Sequence, residues 1–166
     1  NQGYDFGEVV EAALLDMKWA ALSQEEAAAI DTPEKVTAFE RKSLEELGLE
    51  IDLVPPRYRT TYFNHIFSSP SGYSAGYYSY LWTEMLDRDS RKWFMDNGGL
   101  TRANGDHYRK TVLSTGGTMD YFEMFRNFAG REPDVTPMLE ARGLIAGDEA
   151  ADSEASDGKL PPRTVN

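Results

Sequence analysis

The chain has 166 residues, a formal net charge of −11, 40% hydrophobic and 27% charged residues, which fits one soluble domain long enough to bury a sizeable core. The acidic balance argues against a nucleic-acid or anionic-membrane partner, since both need basic surface, and no apolar run approaches the roughly 20 residues that span a bilayer. Cysteine is absent, which excludes disulfides and thiol chemistry and leaves the compartment, cytoplasm or periplasm, open.

The opening NQGYDFGEVV has no initiator methionine, no basic region and no apolar signal core; it reads as a chain entered partway through, with an upstream portion expected. Asp5 and Glu8 have capping-box spacing, and Phe6, Val9, Val10, Ala13, Leu14, Met17 and Ala21 follow on one helical stripe. Thr32-Pro33 pairs an N-cap with an N1 proline, and Gly48 stops the helix that carries Val36, Phe39 and Leu47. The run LEIDLVPPRYRTTYF is predicted to be extended, because its prolines do not fit a helix interior and Val54 is pushed out of helical geometry.

The longest helical pattern covers residues 74–96 and closes at Asn97-Gly98-Gly99. Thr101 opens a helix that ends near Gly116-Gly117, and Asp120 caps one over Tyr121 to Ala129, stopped by Gly130. Thr136-Pro137 repeats the cap-plus-proline signal, and Gly143 ends that turn. No strand alternation of useful length and no repeat occurs, so the expected architecture is all-α over residues 1–145. From Ala146 onward the chain has almost no large apolar residue and is expected to be a flexible acidic tail.

Within SSPSGYSAGYYSYLW, residues 68–82, helical spacing would place Tyr73, Tyr77, Tyr80 and Glu84 in one narrow wedge. A buried phenol must find a hydrogen-bond partner, so these residues are either core groups bonded to backbone or the lining of a groove. Gly72 and Gly76 would let a ligand or another backbone approach closely. The only histidines, His65 and His107, are too far apart for H-E-x-x-H, and no other glutamate-histidine arrangement suits a three-ligand zinc site. His107 reads as a solvated residue on a polar helix, and Glu45-Glu46 and the DRDSRK stretch read as solvated helix faces.

Four segments resemble one family in the right order: VPPRYRTTYFNHIF, GYSAGYYSYLW, WF-x-x-NGGLTR-x-NG and GREP-x-x-x-PMLEARGL. Over Asn1 to Leu144 the chain resembles the C-terminal part of the thimet oligopeptidase family of zinc metallopeptidases, and within it the bacterial peptidyl-dipeptidases. The resemblance implies the C-terminal part of a zincin-type catalytic domain that removes dipeptides from oligopeptide substrates. It also implies zinc in the complete enzyme, held by an upstream segment bearing H-E-x-x-H on the same or a separate polypeptide, so that this chain alone would be inactive. By the same resemblance Tyr73 and Tyr80 match a pair of catalytic, oxyanion-stabilising tyrosines, while His65 and Tyr77 match substrate-binding positions; Gly72 joins them as a substrate-binding candidate because it allows close approach. One departure stands out: relatives carry a short glycine run where this chain has Ser68-Ser69-Pro70-Ser71-Gly72, a loop expected to be mobile without ligand.

A second reading is a helical peptide-binding module without catalysis. Either way, a piece of a larger helical domain is expected to expose apolar surface at Phe6, Val10 and Met17 and along the tyrosine groove.

Overall fold

The computed structural model describes residues 1–69 and 72–146. Those residues are helical with intervening turns and contain no strand, in agreement with the all-α expectation. None of their helices is long and apolar enough to cross a membrane. The described chain forms two compact units, one over residues 1–83 and one from residue 84 onward. The expected tail beyond Ala146, and Pro70 and Ser71 of the expected mobile loop, lie outside the described residues.

The first unit is built on α1 (Gln2–Ala20). Its helix starts before Asp5, which sits in the first turn and not at the N-cap. Burial along α1 selects Glu11, Ala12, Ala13, Leu15 and Asp16, whereas Met17 is exposed as expected. A short α2 (Gln24–Ala29) starts at a capping box: Ser23 Oγ accepts from the Glu26 N–H and the Glu26 carboxylate accepts from the Ser23 N–H. In α3 (Pro33–Glu46), Thr32 Oγ1 accepts from the Lys35 N–H and Pro33 occupies the first turn. α1 and α3 pack together through Trp19 and Phe39, with ring centroids 4.3 Å apart.

After α3 the double-proline segment is non-helical, but its end departs from the extended expectation. Thr60–Tyr62 forms a turn of 3₁₀ helix, and Asn64–Phe67 forms α4. The cause is long-range: the buried Glu40 carboxylate accepts from Arg59 Nε and the Thr60 N–H, both at 2.7 Å. Phe63 and Ile66 are thereby turned into a core with Ala12, Ala13 and Tyr77, against which Val9 and Tyr58 pack.

The boundary between the units falls within α5 (Ser79–Asp96). The second unit continues with α6 (Arg102–Tyr108), a π-helical turn over Arg109–Leu113, α7 (Tyr121–Ala129) and α8 (Thr136–Ala141). Asp120 caps α7 by accepting from the Phe122 and Glu123 amides, and Gly130 ends it at φ 75°, a left-handed conformation that glycine adopts without steric cost. At α8 the expected cap is displaced: Thr136 lies inside the helix, and its N–H donates to Asp134 Oδ1 at 2.9 Å.

Two residues read as solvated are packed. Asp89, within DRDSRK, is fully buried and accepts from Arg131 and from the Asp134 N–H. His107 is half-buried, stacked on Trp93 at 5.3 Å, and its Nε2 lies 2.8 Å from the Phe128 carbonyl, so that nitrogen carries the hydrogen. Helical periodicity alone does not distinguish a polar group facing water from one facing a single buried partner.

Candidate functional site

Tyrosine-rich residues 72–78 do not extend α5 backwards. They form successive turns, with the Gly76 N–H donating to the Tyr73 carbonyl at 3.1 Å and the Ser79 N–H to the Gly76 carbonyl at 3.1 Å. Ala75 is left-handed at φ 56°, a conformation that residues bearing a Cβ seldom adopt. At Gly76 an added Cβ would lie 3.0 Å from the Tyr73 carbonyl oxygen, so a larger residue there would push the turn apart by a few tenths of an ångström.

The turn is held from α1. Asp16, 1% exposed, accepts from the Ala75 N–H at 2.8 Å through Oδ1 and from the Tyr77 N–H at 3.0 Å through Oδ2. This carboxylate holds two amides of the turn, and the left-handed Ala75 cannot belong to a continuous α-helix. The shared helical wedge of Tyr73, Tyr77, Tyr80 and Glu84 therefore does not form. Glu84 instead lies in the second unit and pairs there with Arg142.

The turn nevertheless gathers most of the candidate residues. His65, Tyr73, Tyr77 and Tyr80 line one open groove of about 550 Å3 together with Gly76, Ser79 and Thr83. Gly72 sits at the turn before Tyr73, where an added Cβ would meet the Ser69 carbonyl at 3.1 Å. The His65 ring rests against Tyr58 and Phe63 at 5.0 and 5.1 Å and faces Tyr73 at 6.2 Å. Tyr77 forms the floor: 7% exposed, it packs on Phe63 at 5.2 Å and on Tyr80 at 5.1 Å. Burial pushes its phenol above the ordinary tyrosine range, and the neighbouring Arg57 cation offsets part of that push.

Tyr73 and Tyr80 differ from Tyr77 in being 70% and 64% exposed. Among the described residues neither phenol oxygen has a hydrogen-bond partner within the protein. Each can donate to a carbonyl or an oxyanion in the groove.

Sequence reasoning missed the groove's supports. Arg57 pairs with Glu8 at 2.9 Å, and its own N–H donates to the Glu8 carbonyl at 2.9 Å. Trp19 Nε1 donates to Thr60 Oγ1 at 3.0 Å. With Asp16, these contacts come from one face of α1. The available signal was a carboxylate inside the apolar run AALLDM. One further carboxyl there is unusual: Glu11 is buried, its Oε2 has no hydrogen-bond partner, and burial followed by the nearby Glu8 pushes its pKa up to about 7.

Among the described residues no group of three His, Asp or Glu side chains is placed to hold a metal ion. His65 belongs to the aromatic wall of the groove, and His107 is tied to Phe128 in the second unit.

Residues 1–144 match peptidase family M3. Over 144 residues, 87% of this chain, the sequence is 44% identical to a dipeptidyl carboxypeptidase of Escherichia coli K12 and 45% identical to one of Salmonella typhimurium LT2. It spans 20% of the length of each of these proteins. Over 82 residues, 49% of the chain, it is 42% identical to oligopeptidase A of Salmonella typhimurium LT2, of which it covers 12%.

Proposed function

This chain belongs to peptidase family M3, and from that membership we propose that it supplies the substrate-facing wall of a zinc-dependent peptidyl-dipeptidase acting on oligopeptides. The similarity to two dipeptidyl carboxypeptidases supports the reaction class. The residues present do not fit a zinc site: H-E-x-x-H is absent from the sequence, and the described acidic and histidine side chains form no metal cluster. In this reading zinc belongs to a segment bearing H-E-x-x-H outside this sequence, on the same polypeptide or on a partner chain.

The roles proposed here concern this chain's own side chains. An extended peptide lies along the groove, with His65 and Tyr77 contacting its backbone and Gly72 shaping the loop beside it. As water adds to the scissile carbonyl, negative charge develops on the carbonyl oxygen. The Tyr80 phenol, with Tyr73 across the turn, donates a hydrogen bond to that oxygen. A neutral donor held at such a position acts mainly in the transition state, and losing one costs about 3–4 kcal/mol.

The observation that carries this reading is the contrast between the exposed, internally unbonded phenols of Tyr73 and Tyr80 and the buried Tyr77 beneath them. The test is Tyr80→Phe and Tyr73→Phe in the zinc-loaded enzyme that contains both this chain and the H-E-x-x-H segment. Turnover is expected to fall about a hundredfold or more, with a smaller change in KM and an unchanged melting temperature. Normal kcat in both variants, or lost stability in place of lost turnover, would return these tyrosines to a structural role.

A further inference from the structure

We propose that Asp16 is a positioning residue for the groove: its buried carboxylate clamps the backbone at Ala75 and Tyr77 and thereby sets where the Tyr73 and Tyr80 phenols stand. The proposal rests on the catalytic reading of those phenols given above. It adds a residue that touches neither substrate nor reacting atoms.

The geometry carries the argument in three steps. Asp16 lies on the buried face of α1, where it is 1% exposed, and among the described residues no cation pairs with it. Its two oxygens divide between two amides, Ala75 N at 2.8 Å and Tyr77 N at 3.0 Å, so both ends of a three-residue arc are fixed by one rigid group. Within that arc Ala75 sits at φ 56°, and Gly76 closes against the Tyr73 carbonyl. A left-handed alanine persists only where its surroundings over-determine it, and here the carboxylate supplies that constraint. Relaxing Ala75 toward a right-handed conformation would continue α5 toward residue 74 and carry Tyr73 and Tyr77 to other directions.

The neighbouring contacts of α1 agree with this role. Glu8 fixes Arg57 through backbone and side chain, and Trp19 fixes Thr60. These hold the segment that precedes His65, while Asp16 alone among them bonds to the turn that bears Tyr73 and leads into α5, where Tyr80 stands. A carboxylate suits this task because it accepts two N–H donors and has no hydrogen of its own to misdirect. Asparagine, of the same shape, would set an NH2 donor against one of the two amide donors.

The test uses the complete zinc-loaded enzyme. In Asp16→Asn, amide hydrogen exchange at Ala75 and Tyr77 should accelerate, and kcat should fall about tenfold to a hundredfold with little change in KM, as for a misplacement near 1 Å. In a Tyr73→Phe/Tyr80→Phe background the same substitution should lower kcat by less than about threefold more, because the groups it positions are already gone. A general loss of stability would instead lower activity equally in both backgrounds, and that result overturns the proposal. Unchanged exchange at Ala75 and Tyr77 overturns the clamp itself. Wild-type kcat in the double phenylalanine variant defeats the catalytic reading, and the exchange measurement distinguishes that failure because it needs no turnover. Should Asp16→Asn fail to fold, two measurements remain. In the wild type, rapid exchange at Ala75 and Tyr77 would overturn the clamp. Gly76→Ala, which disturbs the turn from the loop side, should lower kcat at unchanged KM, and normal kcat there would show that the turn's geometry does not govern the phenols.

Discussion

Asp16 and Asp89 are both buried carboxylates, and they are satisfied in different ways. Asp89, in the second unit, accepts from the Arg131 guanidinium and from the Asp134 N–H, so its charge is matched by a cation. Asp16, in the first unit, is matched by two backbone amides. Each unit has a packed aromatic cluster, and the first also carries the exposed phenols of the groove. In the second unit Trp93, Phe94, Tyr108 and Phe128 pack ring to ring, and the His107 nitrogen bonds the Phe128 carbonyl. In the first, Tyr73 and Tyr80 turn their phenols outward above a buried Tyr77. An ion pair joined to backbone locks side chains in place. A carboxylate clamped on amides orders only the backbone, which leaves the side chains of the turn to face a ligand.

The comparison can be broken most directly at Phe128, which is 2% exposed at the centre of the second unit's aromatic cluster. Phe128→Ala should cost about 3–5 kcal/mol of stability, read by denaturant unfolding, while turnover per folded molecule stays near wild type. Reduced kcat at full stability would show that the second unit's aromatics serve the chemistry and not the packing.

Next in size is the pH dependence contributed by Glu11 in the first unit. Its pKa rises from 4.5 to about 7 on folding, so between those values the folded state holds a proton that the unfolded state has released. Stability from this group is therefore present in acid, declines as pH rises through that window and levels off above it. At 1.36 kcal/mol per pH unit the decline amounts to about 3 kcal/mol. Melting temperatures between about pH 4.5 and 8 should show this slope in the wild type and a flatter one in Glu11→Gln. An equal slope in both would place the proton elsewhere.

The smallest effect separates the two histidines. His107→Phe preserves the stacking on Trp93 and removes one hydrogen bond to a carbonyl, a loss of about 1 kcal/mol with unchanged turnover. His65→Phe preserves the aromatic wall and removes a polar contact to substrate, so KM should rise while the melting temperature holds. An exchange of these two outcomes between the residues would reverse the assignment of structural and functional roles to the units.

Helix punctuation was legible wherever the deciding bond is local. Thr32 and Thr101 cap α3 and α6 through amides three residues ahead, and Asp120 caps α7 through amides two and three residues ahead. The groove's lining was also legible as a set, because His65, Tyr73, Tyr77 and Tyr80 are close in sequence and a short turn brings them together. The capping box at Ser23 has a plain sequence signature, a serine three residues before a glutamate, that marks α2. Asp89 sits in a charged stretch that reads as a solvated face, and Glu40 is a charged residue on the stripe of Val36 and Leu47; each is buried where one arginine and one backbone amide reach it from far along the chain.

The sequence by itself determined that the described chain is all-α, and it determined its family through motifs spread over residues 1–144. Both follow from short-range chemistry: caps, prolines, glycines and side-chain periodicity act within a few residues. Only the tertiary structure decided that α5 begins at Ser79 and not at residue 74. Local propensity favours continuing that helix backward, but a carboxylate 59 residues upstream holds the Ala75 N–H in a turn where Ala75 is left-handed, and a left-handed residue interrupts the helix. Hydrogen bonds to a buried carboxylate are strong, so the distant partner fixes a turn that carries Tyr73 and Tyr77 and leads into α5, where Tyr80 stands.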